Sequence, residues 1–210
     1  MRSKDLKKLS SPLLQREMGM VVDSLLLQSL SAFFKDDYYQ DELVSIIEGT
    51  KGISLRSIDW FITNYSKKQN TYYLIYKDQL NHPTLDEKDR TFHSNMNVHH
   101  SYKSQLKAYS KKRFDPFCRR DRLLFELTNG SSIETTIGQL NFFRWALQSS
   151  VIDYIVQNKE VIETDMNDCL REIKVKGIKK KGTRKQREEL SLSATRGLSR
   201  NNITVHLNFD

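Results

Sequence analysis

The sequence predicts an α+β fold: N-terminal helices, a small mainly antiparallel sheet, and a long buried central helix. Three observations carry this. Apolar residues recur at helical spacing over residues 13–34, 38–48 and 54–68. Runs rich in aromatic and β-branched residues at 71–77, 122–127 and 132–137 read as strands, with Asn129-Gly130 as a hairpin turn between the last two. Residues 139–157 are apolar around almost the whole helical circumference, which is the pattern of a buried helix.

The elements follow in order. Ser11-Pro12 suits a helix entry, and Leu14, Met18, Val21, Val22, Leu25, Leu26, Ser29 and Phe33 then fall at helical spacing on a packing face. Asp36-Asp37 interrupts the pattern, and a shorter helix turns Leu43, Ile46 and Ile47 inward. Gly49-Thr50-Lys51-Gly52 forms a turn, and Ser54 opens a third helix with Leu55, Ile58, Ile62 and Tyr65 on one face. Helix, turn and helix invite a helix-turn-helix reading, with Arg56, Asp59, Thr63, Ser66 and Lys67 presented outward. An ordinary αα-hairpin in the core is the favoured reading, because Asp59 would repel phosphates.

Residues 78–97 form a polar excursion holding Pro83, Asp86, Glu87 and Asp89, expected to be a mobile surface loop. His93, His99 and His100 lie close in sequence, but no cysteine is adjacent and no helical histidine pair is present, so no metal site is expected. On a helix over 98–112, Lys103, Lys107 and Lys111 form a basic stripe opposite Tyr102, Leu106 and Tyr109. Phe114-Asp115-Pro116-Phe117 ends that helix, since a residue before proline avoids the α region. Lys112, Arg113, Arg119, Arg120 and Arg122 extend the positive charge. Two readings stay open: a grip on a phosphate backbone, or pairing with the acidic loop at 86–89.

Asn141, Arg144 and Gln148 make a narrow polar stripe on the otherwise apolar central helix, which is either the core of the fold or an interface between copies. A homo-oligomer is therefore compatible with the pattern. Residues 159–173 carry Glu160, Glu163, Asp165 and Asp168 with Val161, Ile162, Met166 and Leu170 facing inward. Clustered carboxylates can hold magnesium, but a solvated helix face is the favoured reading. A basic segment follows, and Ile203, Val205, Leu207 and Phe209 then alternate with polar residues as a last strand over 202–209. The chain divides into a helical region, 1–70, and an α+β region, 71–210, with a basic loop at 174–200; the two are read as one compact unit.

Composition sets the outer bounds. In 210 residues there are ten Phe, nine Tyr and two Trp, enough aromatic surface for a folded chain despite 29% charged residues. The net charge is +8, and ten Lys or Arg against two Glu between Lys174 and Arg200 account for all of it. Eight basic and two acidic residues between Lys103 and Arg122 form a second positive segment within the neutral remainder. Both segments suit a polyanion, whose condensed counterions are released on contact. Cys118 and Cys169 show no metal or redox spacing and imply a reducing compartment. No apolar run approaches the roughly 20 residues of a membrane span, and no signal-peptide core is visible, so a soluble intracellular protein is expected. No phosphate loop, nucleophile elbow, zinc signature or convincing carboxylate pair is present, so no catalytic residue, cofactor or metal is expected.

The runs at 57–68 (SIDWFITNYSKK), 102–120 (YKSQLKAYSKKRFDPFCRR), 135–155 (TTIGQLNFFRWALQSSVIDYI) and 184–210 resemble a conserved, uncharacterised protein family of nucleocytoplasmic large DNA viruses. That group includes mimivirus-, marseillevirus-, phycodnavirus- and iridovirus-like lineages. The family has no established activity, so the resemblance carries over no functional residue. It implies a setting: the host cytoplasm, a viral factory, and the virion. Together with the charge, this predicts a non-enzymatic protein that contacts nucleic acid, DNA ahead of RNA, in the virion core or in late expression. The residues expected to touch phosphate are Lys103, Lys107, Lys111, Lys112, Arg113, Arg119, Arg120, Lys179, Lys180, Lys181, Arg184, Lys185 and Arg187. The alternative is a scaffolding subunit of capsid or core that meets acidic surfaces of other virion proteins.

Overall fold

The computed structural model describes residues 12–88 and 90–178. The strand expected at 202–209 and the basic residues from 179 onward lie outside the described residues. Within them the fold is α+β. Helices α1 (Pro12–Phe33) and α2 (Asp37–Ile47) come first, followed by α3 (Leu55–Trp60), a π-helical turn (Phe61–Tyr65) and α4 (Ser66–Lys68). Strands β1 (Tyr72–Lys77), β2 (Pro83–Thr84) and β3 (Thr91–Asn97) lead into α5 (Val98–Tyr109). Strands β4 (Arg122–Glu126) and β5 (Ser132–Thr136) lead into α6 (Ile137–Gln148), α7 (Val151–Gln157) and α8 (Lys159–Ile178).

The strands form two separate antiparallel sheets instead of one. One has the order β2-β1-β3 and the other pairs β4 with β5. The segment expected to be a mobile loop at 78–97 supplies two strands of the first sheet. Its turn is tight: the Asp78 carboxylate accepts from the backbone N–H of Leu80 and of His82. The strand pattern was invisible because β3 offers the core only Met96, with Phe92 exposed.

Helix α6 is the centre of the molecule. Thr136 caps its start by accepting from the Gln139 N–H at 3.0 Å. Phe142, Phe143, Leu140 and Ala146 are fully buried along it, and α1, α2, β5 and α7 pack around it. The long helix expected over 139–157 is broken at Ser149-Ser150. Ser150 takes a left-handed conformation (φ 49°), and the Ser149 hydroxyl donates to the Trp145 carbonyl at 2.5 Å. The break is fixed from outside, since the Tyr73 hydroxyl donates to the Ser149 carbonyl at 2.8 Å. One hydrophobic cluster runs from Leu26 in α1 to Ile162 in α8, so helices from both halves of the sequence share it.

On helix α1 only part of the expected packing face is buried, and Leu30 and Phe34, which lay outside that expected face, are buried with it. Leu26, Leu30 and Phe34 are buried, whereas Met18, Val21, Val22 and Leu25 are exposed. Periodicity reports that a stripe exists; which stripe meets a partner depends on where α6 lies. The helix-turn-helix reading also loses a member. Ser66 is fully buried, and its hydroxyl donates to the Ile62 carbonyl at 3.0 Å inside the π-helical turn.

Two of the four carboxylates expected on a solvated face of α8 meet other elements, whereas Glu160 and Asp168 are exposed as expected. Glu163 accepts from the Ser57 hydroxyl at 3.1 Å, and Asp165 accepts from Trp60 Nε1 at 2.9 Å and from Lys68 Nζ at 2.5 Å. Ile162 and Met166 are buried beside them, but Val161 is exposed, against expectation. Burial pushes the Asp165 carboxyl up. The hydrogen bonds from Lys68 and Trp60, with the Lys68 charge, outweigh it and hold the group below the usual carboxylate range. A depressed folded pKa stabilises the fold above the unfolded value, about 3.9, and this contribution disappears as pH falls through the lower folded value. Acidification below about pH 4 is therefore expected to loosen α8 from α3. Asp165→Asn should remove that part of the acid response, read as tryptophan fluorescence across a pH titration. An unchanged acid profile in the variant would count against the clamp.

Candidate nucleic-acid interface

Helix α5 begins where Asn97 accepts from the His100 N–H at 3.0 Å and ends where Ser110 takes a positive φ of 59° with an extended ψ of 167°. It is three residues shorter than expected, so Lys103 and Lys107 share one helical face and Lys111 follows beyond the helix end. Four residues of α-helix advance about 6 Å along the axis, a spacing suited to successive backbone contacts. The opposite face packs: Tyr102 is buried, and burial, then Asp59, push its hydroxyl up to about 12.

Among the described residues, no ion pair takes in Lys103, Lys107, Lys111 or Arg120. All four are exposed. Among the described residues of the acidic loop, Asp86 and Glu87 form no ion pair with any of the four. Lys67, on α4, joins the same region. Burial lowers the His99 pKa, and Lys103 and Lys67 add to the effect against a backbone hydrogen bond at Ile62. The sequence had placed Lys67 on a different candidate element, and its approach to α5 is a tertiary fact.

Other basic residues are engaged within the chain. Arg113 donates to Asp23 at 2.5 Å and to the Gly19 carbonyl at 3.1 Å, tying this loop to α1. Lys112 lies 3.9 Å from both Asp23 and Asp121. Arg119 holds Asp115 through two bonds of 3.1 and 2.9 Å and lies 4.5 Å over the Phe117 ring. Arg122 pairs with Glu134 across the β4–β5 sheet at 2.5 Å. Lys179, Lys180, Lys181, Arg184, Lys185 and Arg187 lie outside the described residues.

Among the described residues no three His, Cys, Asp or Glu side chains converge on one point, and no helix is long and apolar enough to cross a membrane. Cys118 and Cys169 are free, and burial pushes the Cys118 thiol up.

Residues 19–203 match a family described as "Family of unknown function (DUF7197)". An uncharacterized protein of Acanthamoeba polyphaga mimivirus is 40% identical over 157 residues, covering 72% of this chain and 56% of the relative. The chain thus spans little more than half the length of that curated relative. No solved structure matches.

Proposed function

This chain belongs to the DUF7197 family, giant-virus proteins of unknown function, and from that premise we propose a non-enzymatic nucleic-acid-binding role in the virion core or in late expression. The observation that carries it is the outer face of α5: Lys103 and Lys107 are exposed and without an ion pair among the described residues. Unpaired lysines on one rigid helix keep their charge available for phosphate and make contact without reading bases. Arg113, Lys112 and Arg119 act as anchors within the chain, because each already holds a carboxylate. DNA comes ahead of RNA as the partner, and the viral factory and virion are the proposed places of action.

The test is binding to random double-stranded DNA and single-stranded RNA, followed by anisotropy across a salt series. The Lys103→Ser, Lys107→Ser, Lys111→Ser triple variant is expected to flatten the slope of log affinity against log salt by about 0.9 per lost contact. A second variant with serine at Lys179, Lys180, Lys181, Arg184, Lys185 and Arg187 measures the share of the basic loop. Absence of binding at low salt would overturn the proposal.

A second reading is a scaffolding subunit that meets other virion proteins. The apolar stripe of Met18, Val21, Val22 and Leu25 on α1 favours it. Association through that stripe would persist at high salt, where phosphate contacts fade.

A further inference from the structure

A cavity of about 410 Å³ opens between α1, α5 and α6, within the size range of small-molecule sites. Its wall includes Asn141, Arg144 and Gln148, the whole polar stripe of a helix that is otherwise buried. Asn141 is 1% exposed, and both ends of its amide are committed. Its Nδ2 donates to the Arg113 carbonyl at 2.8 Å, and its Oδ1 accepts from Arg144 Nη2 at 2.7 Å. Ser29 accepts from Arg144 Nη1 at 3.1 Å. The guanidinium is thus held from two sides, and no carboxylate pairs with it among the described residues. A guanidinium has five N–H donors, so the fork retains donors for a ligand anion in a set orientation.

The rest of the wall suits a ring. Tyr109 and Trp145 line the same cavity, and both are fixed: Trp145 Nε1 donates to the Ser101 hydroxyl at 2.9 Å, and Tyr109 lies parallel to Phe114. Gln105 and Gln148 add amides, each able to donate to and accept from a heteroaromatic edge.

We propose that this cavity binds a mononucleotide, with its phosphate on Arg144 and its base between the aromatic and amide groups. The site is separate from the phosphate-contact face of α5. Residues two apart on a helix lie about 200° apart around the axis, so Gln105 and Tyr109 face away from Lys103 and Lys107.

The experiment is isothermal titration of the full chain with adenosine, guanosine, cytidine and uridine 5′-monophosphates, the parent nucleosides and inorganic phosphate. At least one mononucleotide is expected to bind saturably, about tenfold or more tighter than its nucleoside and than phosphate alone. Arg144→Gln should cost that affinity while circular dichroism stays unchanged, and the Lys103→Ser, Lys107→Ser pair should leave it intact. Should Arg144→Gln unfold the chain, Gln148→Trp fills the cavity from an exposed rim position and should block binding in a folded protein. No saturable mononucleotide binding, equal binding of phosphate alone, or full affinity in the folded cavity variants would each overturn the proposal.

Discussion

Replacing Phe142 with alanine is expected to lower the unfolding free energy by about 3–5 kcal/mol, the range for deleting a fully buried phenylalanine. Phe142 has no exposed surface, and its ring contacts Phe114 at 5.3 Å, Phe143 at 5.3 Å and Trp145 at 5.6 Å between centroids. Two of these neighbours are held by other groups. Trp145 is bonded to Ser101, and Phe114 is fixed between α5 and α6 by its contacts with Tyr109 and Trp145. A site that cannot collapse retains its cavity, so the cost belongs at the upper end of the range. Urea unfolding checks it, with the midpoint falling and the slope unchanged. A loss below about 1 kcal/mol would mean that α6 is not the centre of the core.

The Gly138→Ala variant is expected to destabilise by about 1–3 kcal/mol, the usual cost of overpacking. The sign is the informative part, because alanine normally improves a helix over glycine by about 1 kcal/mol. Here a Cβ would stand 3.0 Å from the Lys112 carbonyl oxygen and 3.4 Å from the Phe114 backbone nitrogen. Both are backbone atoms of a segment pinned in place. The Asp115 N–H donates to the Gly138 carbonyl at 3.2 Å, and the neighbouring Arg113 is tied to Asp23. Neither atom can swing aside as a flexible side chain would. Thermal unfolding of the variant decides between the two signs.

Both changes strike α6, the element that sequence reading identified best. Its apolar circumference reported burial, and Asn141, Arg144 and Gln148 stood out as a polar stripe. The meaning of that stripe was hidden, because its partners Ser29 and Gln105 come from helices distant in sequence. The break at Ser149-Ser150 was hidden for another reason: serine is no strong helix breaker, and the contact with Tyr73 that fixes it is tertiary. On α1 the period was legible and the buried face was not, since Met18–Leu25 and Leu26–Phe34 are equally apolar. The basic residues divide in the same way. Their charge was visible from composition, but Asp23 had to be seen beside Arg113 before anchor and free cation separated.

The separation of the two sheets has a consequence for the order of folding. Each sheet joins strands that are close in sequence, within 72–97 and within 122–136, so each pairs by closing a short loop. Hairpins of this kind form in about 1–10 μs. The distant connections are between helices and loops: Ser29 meets Arg144 across 115 residues, and Gln40 meets Thr128 across 88. Chain entropy must be surrendered before such contacts form. The late event is thus expected to be the seating of α1 and α2 on α6, with strand pairing already complete.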